Sequence, residues 1–277
     1  MSAQRRQPFP FFQHDFSTWF FDLDDTLMWN STTYNQPVID FVKYLTKIFN
    51  NRIPSMGTIA RIQEDIDYSL GNQINPRTGN PYAFGSDRFP DSFAFTYRAL
   101  CEKGFGVFDK EVANQCREIG KTAFDERNYH RLGLVPGAKE LLDFLARWRH
   151  LVLVTKGEQE VQEAKIKALS LERWFHDIRI VDQKSWRVYH DVLASLRSRA
   201  GKRAGEYSTA KTVAIGNSYS SDIAPAIELG MHAIFIPCPT WKAESVDIGD
   251  LTEEARTRLQ VFENIGQVLP WIKGANT

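Results

Sequence analysis

The stretch Trp19-Phe20-Phe21-Asp22-Leu23-Asp24-Asp25-Thr26-Leu27 constrains the fold more than any other part of the chain. It begins apolar and ends acidic, with no Lys or Arg inside it to neutralise the carboxylates. A run of large apolar side chains predicts a strand entering a core, buried on both faces. The acidic group then lies at that strand's carboxyl end, where open α/β sheets bind their ligands. Ionised carboxylates this close repel one another unless a cation joins them. Magnesium suits the role, because it takes oxygen ligands and commonly links one or two carboxylates to substrate phosphate. The same residues also fit a plain helix-capping turn, with Asp25 or Thr26 at the N-cap. The rest of the chain has to decide between the two.

Four more buried strands follow. Leu151-Val152-Leu153-Val154 leads into Thr155-Lys156-Gly157, and Ile178-Arg179-Ile180-Val181 leads into Asp182-Gln183-Lys184. Thr212-Val213-Ala214-Ile215 leads into Gly216-Asn217-Ser218-Tyr219-Ser220-Ser221-Asp222, and Ala233-Ile234-Phe235-Ile236 is ended by Pro237. Helix stripes separate them: Ala138, Leu141, Leu142, Leu145 and Trp148; then Val161, Ile166 and Leu169; then Tyr189, Val192, Leu193 and Leu196. Five short strands alternating with helices predict a three-layer α/β domain with a parallel sheet. The small and basic residues of Arg197–Lys211 read as a surface loop between a helix and a strand. Gly216 permits a tight exit from its strand. Beyond the fifth strand, Trp241 and Glu244 sit in a loop, and the tail closes with Leu259–Phe262 and a short helix near Ile265–Ile272.

Residues 30–132 interrupt this alternation. Val38, Phe41, Val42, Leu45, Ile48 and Phe49 follow one helix face, as do Ile59, Ile62, Ile66 and Leu70. Val112, Cys116, Ile119 and Ala123 make a third stripe behind Asp109, a good N-cap, and Phe93, Tyr97, Leu100 and Cys101 indicate another helix. Between them, Gly71–Pro81 is rich in turn formers and carries Arg77, with Arg88 shortly after.

Taken in order, the strand ends resemble the four motifs of the haloacid dehalogenase (HAD) superfamily. Asp22-x-Asp24-x-Thr26 resembles the first, Thr155 the second and Lys184 the third, with Lys156 and Lys165 as rivals for the lysine. Gly216-Asn217 followed by Asp222 resembles the fourth, with Asn217 where aspartate is frequent. The resemblance implies a Rossmann-like core of residues 18–29 and 133–277, an inserted α-helical cap at 30–132 and an N-terminal extension at 1–17. It implies a phosphomonoester hydrolase in which Asp22 is the nucleophile and Asp24 the general acid and base. Thr155, Lys156 and Lys184 would bind phosphate; Asp22, the backbone carbonyl of Asp24, and Asp222 would hold Mg2+, supported by Asn217. Arg77 and Arg88 are then candidates for reading a small phosphorylated metabolite, a nucleotide or sugar phosphate. A phosphomutase would use the same core residues, and a non-catalytic binding protein would retain the fold. Dehalogenases of the superfamily act without metal and lack the second aspartate of the first motif, which Asp24 supplies here.

Composition excludes other classes. Basic and acidic residues balance at 34 each, so the total carries no electrostatic footprint for nucleic acid or an anionic membrane. No apolar run approaches a bilayer span, and residues 1–15 lack the apolar core of a signal peptide. Cys101, Cys116 and Cys238 are too few and too widely spaced for a disulfide framework or zinc cluster, which favours a reducing cytoplasm. The extension's Phe9, Phe11, Phe12 and Phe16 would pack on the body or on a second copy, so a monomer or a homodimer is expected.

Overall fold

The computed structural model describes residues 15–238 and 253–274, so Phe9, Phe11, Phe12, Trp241 and Glu244 lie outside it. In chain order the principal elements are β1 (Thr18–Phe21), α1 (Thr32–Ile48), α2 (Met56–Leu70), α3 (Arg88–Glu102), α4 (Lys110–Lys121), α5 (Glu126–Leu132), α6 (Ala138–Leu145), β2 (His150–Lys156), α7 (Gln159–Ala168), β3 (Asp177–Val181), α8 (Trp186–Ala200), β4 (Thr212–Gly216), α9 (Ala224–Glu228), β5 (His232–Phe235), α10 (Glu253–Arg258), β6 (Leu259–Val261) and α11 (Val268–Gly274). The residues form two compact units.

The first unit takes the chain up to Trp29, Gly133–Lys156 and the chain from Leu169 onward. It holds a six-stranded sheet in the order β3-β2-β1-β4-β5-β6, with every neighbouring pair parallel. Parallel strands need crossover helices on both faces, which is why β1, β4 and β5 are mainly apolar and wholly buried. Phe20, Val152, Val154 and Ala214 meet Tyr189, Val192, Leu193 and Leu196 of α8 in one core cluster. The sixth strand was not expected from the sequence. It is a three-residue edge strand, too short for alternation to mark it. The chain reverses its direction of sheet growth between β1 and β4, the switch point at whose carboxyl end such sheets bind ligands.

The expected surface loop at Arg197–Lys211 is instead ordered structure. Helix α8 continues to Ala200, and Gly201–Tyr207 forms a 3-10 helix against it. Arg197 Nε donates to the carbonyl of Tyr207 at 2.8 Å, so this basic residue closes the turn from within.

At the opposite, amino-terminal rim of the sheet, His150 opens β2 and stacks on His176 with ring centroids 4.5 Å apart. Its Nε2 is buried and finds no hydrogen-bond partner among the described residues. Burial, then the neighbouring His176, push His150 down to about 4. A histidine held below its unfolded value of about 6.5 contributes stability that is complete above that pH and is lost as pH falls toward 4. Wild type should therefore lose about 1–2 kcal/mol more than His150→Phe between pH 7 and pH 5, after discounting for partial exposure. Urea unfolding of both proteins at the two pH values measures the difference, and parallel losses would show that His150 is not responsible.

The second unit comprises Asn30–Leu132 and Gly157–Ala168. The sequence expectation placed 157–168 with the sheet; the segment packs with the helices instead. The Glu158 carboxylate accepts from the Ser86 amide at 2.6 Å, and Lys165 of α7 lies 5.9 Å from the Tyr129 ring of α5. The apolar faces seen in the sequence build this unit's core, where Phe41 stacks on Phe93 at 4.4 Å and Phe89 meets Phe93 at 4.8 Å. Asp109 caps α4 as expected, accepting from the amides of Glu111 and Val112. No helix among the described residues is long and apolar enough to cross a membrane.

Candidate active site

The residues after β1 and β4 converge at the switch point. Asp22 follows directly on β1, its amide donating to the Ile215 carbonyl of β4 at 3.0 Å. The turn after it is not a helix cap. Asp25 has φ 57°, a left-handed conformation that aspartate tolerates better than most residues. Its amide donates to the Met28 carbonyl at 2.8 Å, and Leu27 in turn accepts from the Val135 amide at 2.9 Å. The loop is thus folded back and tied down, with Thr26 facing the carboxylate. Thr26 Oγ1 donates to Asp22 Oδ2 at 2.9 Å and stands 3.3 Å from Asn217 Oδ1.

Lys184 is buried between two carboxylates. Its ammonium donates to Asp22 Oδ1 and, at 2.6 Å, to Asp222 Oδ1. The other oxygen of Asp222 accepts from the Ser218 amide at 3.0 Å. Asp222 sits on a π-helical turn, Tyr219–Ile223, whose Ser218 cap accepts from the Ser221 amide. Burial and Asp222 push Asp22 up to about 7 despite the opposing charge of Lys184. Burial disfavours the Lys184 ammonium, but Asp22 and Asp222 outweigh it and hold the lysine above its usual range. Burial, then Asp222, likewise raises Tyr189, whose hydroxyl lies beside this group.

Thr155 and Lys156 close β2. Thr155 is fully buried, and Lys156 Nζ reaches across to Ser221 Oγ at 3.4 Å, one residue from Asp222. Asp24 is half-buried in the loop after Asp22 and bridges to Met28. Asn217 is buried. The remaining sequence candidates lie in the helical unit. Arg77 binds Asp91 and Asp87, and Arg117 binds the same two carboxylates from α4. Arg88 binds the buried Asp67 and the Ala83 carbonyl. Arg77 therefore ties the Gly71–Asp87 segment to α3, Arg88 ties it to α2 and α3, and Arg117 adds α4. Lys165 is buried in the same unit beside Tyr129.

Three participants were missed in the sequence: Ser218, Ser221 and Tyr189. Ser218 carried a legible sign, a serine four residues ahead of Asp222, and Ser221 carried none. Tyr189 carried none beyond its helical spacing.

Gly216 has a different purpose from the one expected. A Cβ there would lie 2.4 Å from both Cβ and Oδ2 of Asp222. The glycine is required because the aspartate packs on its backbone, and no turn conformation is involved. Gly216→Ala should displace Asp222 or cost about 1–3 kcal/mol in strain, while Gly205→Ala, with open space around it, should do neither. Thermal unfolding of the two variants, with a crystal structure of the first, checks this.

A buried lysine held by two carboxylates, at the switch point of a 3-2-1-4-5-6 parallel sheet, defines a strand-end ligand site of the doubly wound α/β class. A family profile described as haloacid dehalogenase-like hydrolase matches residues 16–230, and the chain belongs to that family. Among solved structures, it is similar to a haloacid dehalogenase-like hydrolase from Xanthomonas campestris, with 19% identity over 95% of this chain and 96% of that one and a TM-score of 0.65. The putative HAD-hydrolase YfnB from Bacillus subtilis, solved bound to magnesium, shares 15% identity over 93% and 98% of the two chains, with a TM-score of 0.59. A 2-haloacid dehalogenase from Pseudomonas syringae shares 19% identity over 95% and 100%, with a TM-score of 0.52. At these identities the likenesses establish the fold. A comparison with curated proteins returned no match.

Proposed function

We propose that the protein is a magnesium-dependent phosphomonoester hydrolase, acting on a small phosphorylated metabolite through an aspartyl-phosphate on Asp22. The observation that carries the reading is the pair of buried carboxylates, Asp22 and Asp222, sharing one ammonium. Two negative charges against one positive leave the site with an unmatched negative charge, and Asp222 adds to burial in pushing Asp22 up. Among the described residues no three His, Cys, Asp or Glu side chains form a metal cluster. The donor set nevertheless fits magnesium, which needs only one or two carboxylates with further oxygens. Asp22 and Asp222 would hold it, with Asn217 Oδ1 in the same network and the Asp24 carbonyl as the further ligand. When bound, the ion supplies positive charge against the phosphoryl oxygens.

In this reading Asp22 Oδ bonds to phosphorus as the ester P–O bond breaks, and Asp24 gives its proton to the departing alcohol oxygen. Water then attacks the phosphorus of the aspartyl-phosphate and passes its proton to Asp24, which frees inorganic phosphate and regenerates Asp22. Thr26 holds Asp22 Oδ2 in place through both steps. Thr155, Lys156 and Lys184 supply donors to the phosphoryl oxygens. A dehalogenase would need Asp22 alone; Asp24 and the second buried carboxylate favour phosphoryl transfer.

The test is phosphate release from a broad phosphomonoester panel, with magnesium and with chelator. Turnover that requires magnesium supports the reading. Interconversion of phosphorylated isomers without phosphate release would replace it with a mutase. A folded, magnesium-loaded protein inert toward every compound would leave a binding protein.

A further inference from the structure

We infer that Tyr189 is a positioning residue that locks the π-helical turn carrying Asp222. It lies on α8, the helix that begins two residues after Lys184. Its ring meets Phe20 of β1 edge-on at 5.4 Å, two residues before Asp22. Its hydroxyl donates to the backbone carbonyl of Asp222 at 3.4 Å. One side chain therefore touches the element behind each of the three charged groups: β1 for Asp22, its own helix for Lys184, and the turn for Asp222. It is also almost wholly buried, so its hydroxyl has no water to exchange this bond for.

The turn needs such a tie. A π-helical turn is an uncommon backbone form, concentrated at functional sites. Here it is held at its start by Ser218, which accepts from the Ser221 amide at 3.3 Å, and by the Asp222 amide donating to the Ser218 carbonyl at 2.9 Å. Each of these bonds is local to the turn. From other elements Lys156 reaches the Ser221 hydroxyl and Lys184 the Asp222 carboxylate, and Tyr189 adds a bond to the turn's backbone, at the residue whose carboxylate must meet Lys184. Tyrosine is suited to this position because phenylalanine would keep the Phe20 contact and lose the tether.

The inference rests on the proposed site but is tested without reference to turnover. Backbone hydrogen–deuterium exchange is followed in chelator for wild type and Tyr189→Phe. The expected result is exchange about five-fold faster in the 218–223 segment, with α8 and the sheet strands unchanged. Unchanged exchange at 218–223 would overturn the inference, and so would a rise spread evenly over α8 and the core, which is the mark of a packing residue only. A magnesium titration of the same two proteins, read as the shift in unfolding temperature, is the second arm. A weaker apparent affinity in Tyr189→Phe supports the inference; equal affinity in both overturns it. If wild type itself shows no magnesium shift, the proposed metal dependence fails, and the exchange experiment still decides the role of Tyr189.

Discussion

Asp22→Asn should abolish magnesium-dependent phosphate release while leaving the fold intact or more stable. Loss of a nucleophile that forms the covalent intermediate typically costs about a thousand-fold or more in turnover. Asparagine keeps the size of the side chain and an oxygen able to accept from Thr26 or Lys184, so packing is preserved. The electrostatics improve. Burial and Asp222 work against the Asp22 carboxylate, and a neutral residue leaves Lys184 paired with Asp222 alone, two opposite charges that balance. Active sites commonly carry such a stability cost for function. The checks are phosphate release and the unfolding temperature in chelator. An inactive variant that unfolds well below wild type would show that the carboxylate serves the fold, and a fully active one would remove Asp22 from the chemistry.

Lys184→Met should have the largest effect on stability, about 3–5 kcal/mol at neutral pH. Methionine fills the volume of the lysine stem, so the cost is electrostatic and leaves little cavity. Without the ammonium, Asp22 and Asp222 face each other in a buried setting with no cation between them. Urea unfolding at neutral pH measures the loss. Adding the second change, Asp22→Asn, should recover a substantial part of it by removing one of the two repelling charges. A Lys184→Met protein as stable as wild type would mean that the two carboxylates are not held apart from water in the folded state.

Much of this was legible in the sequence because it depends on residue type and position along a strand. The sheet was, since buried parallel strands announce themselves as apolar runs such as Leu151–Val154 and Thr212–Ile215. The meeting of Asp22, Lys184 and Asp222 followed from placing each just beyond a strand end. What the sequence did not carry is long-range pairing. Arg77 stood in a polar loop as a candidate for reading the substrate, and only the fold brings Asp91, fourteen residues on, against it. The three-residue strand β6 has no periodicity of its own and exists because β5 offers it an edge. Gly216 read as a turn former because the space it yields is taken by a side chain six residues later.

The assignment of Gly157–Ala168 to the helical unit has a consequence for how the chain is made. Asn30–Leu132 emerges from synthesis first but lacks α7, the helix that lies against α5 and supplies Glu158 to the Ser86 amide. That helix arrives only after β2 has been made, so neither unit is a contiguous stretch that matures alone on the ribosome. Their assembly is interleaved: the helical unit waits for a segment delivered from the end of a sheet strand, and excising 30–132 as a fragment would leave it incomplete. The last residue of that strand is Lys156, one of the two residues at its end assigned to phosphate. The Lys156–Gly157 peptide bond is thus one of the places where the chain passes from the sheet's unit to the helical one.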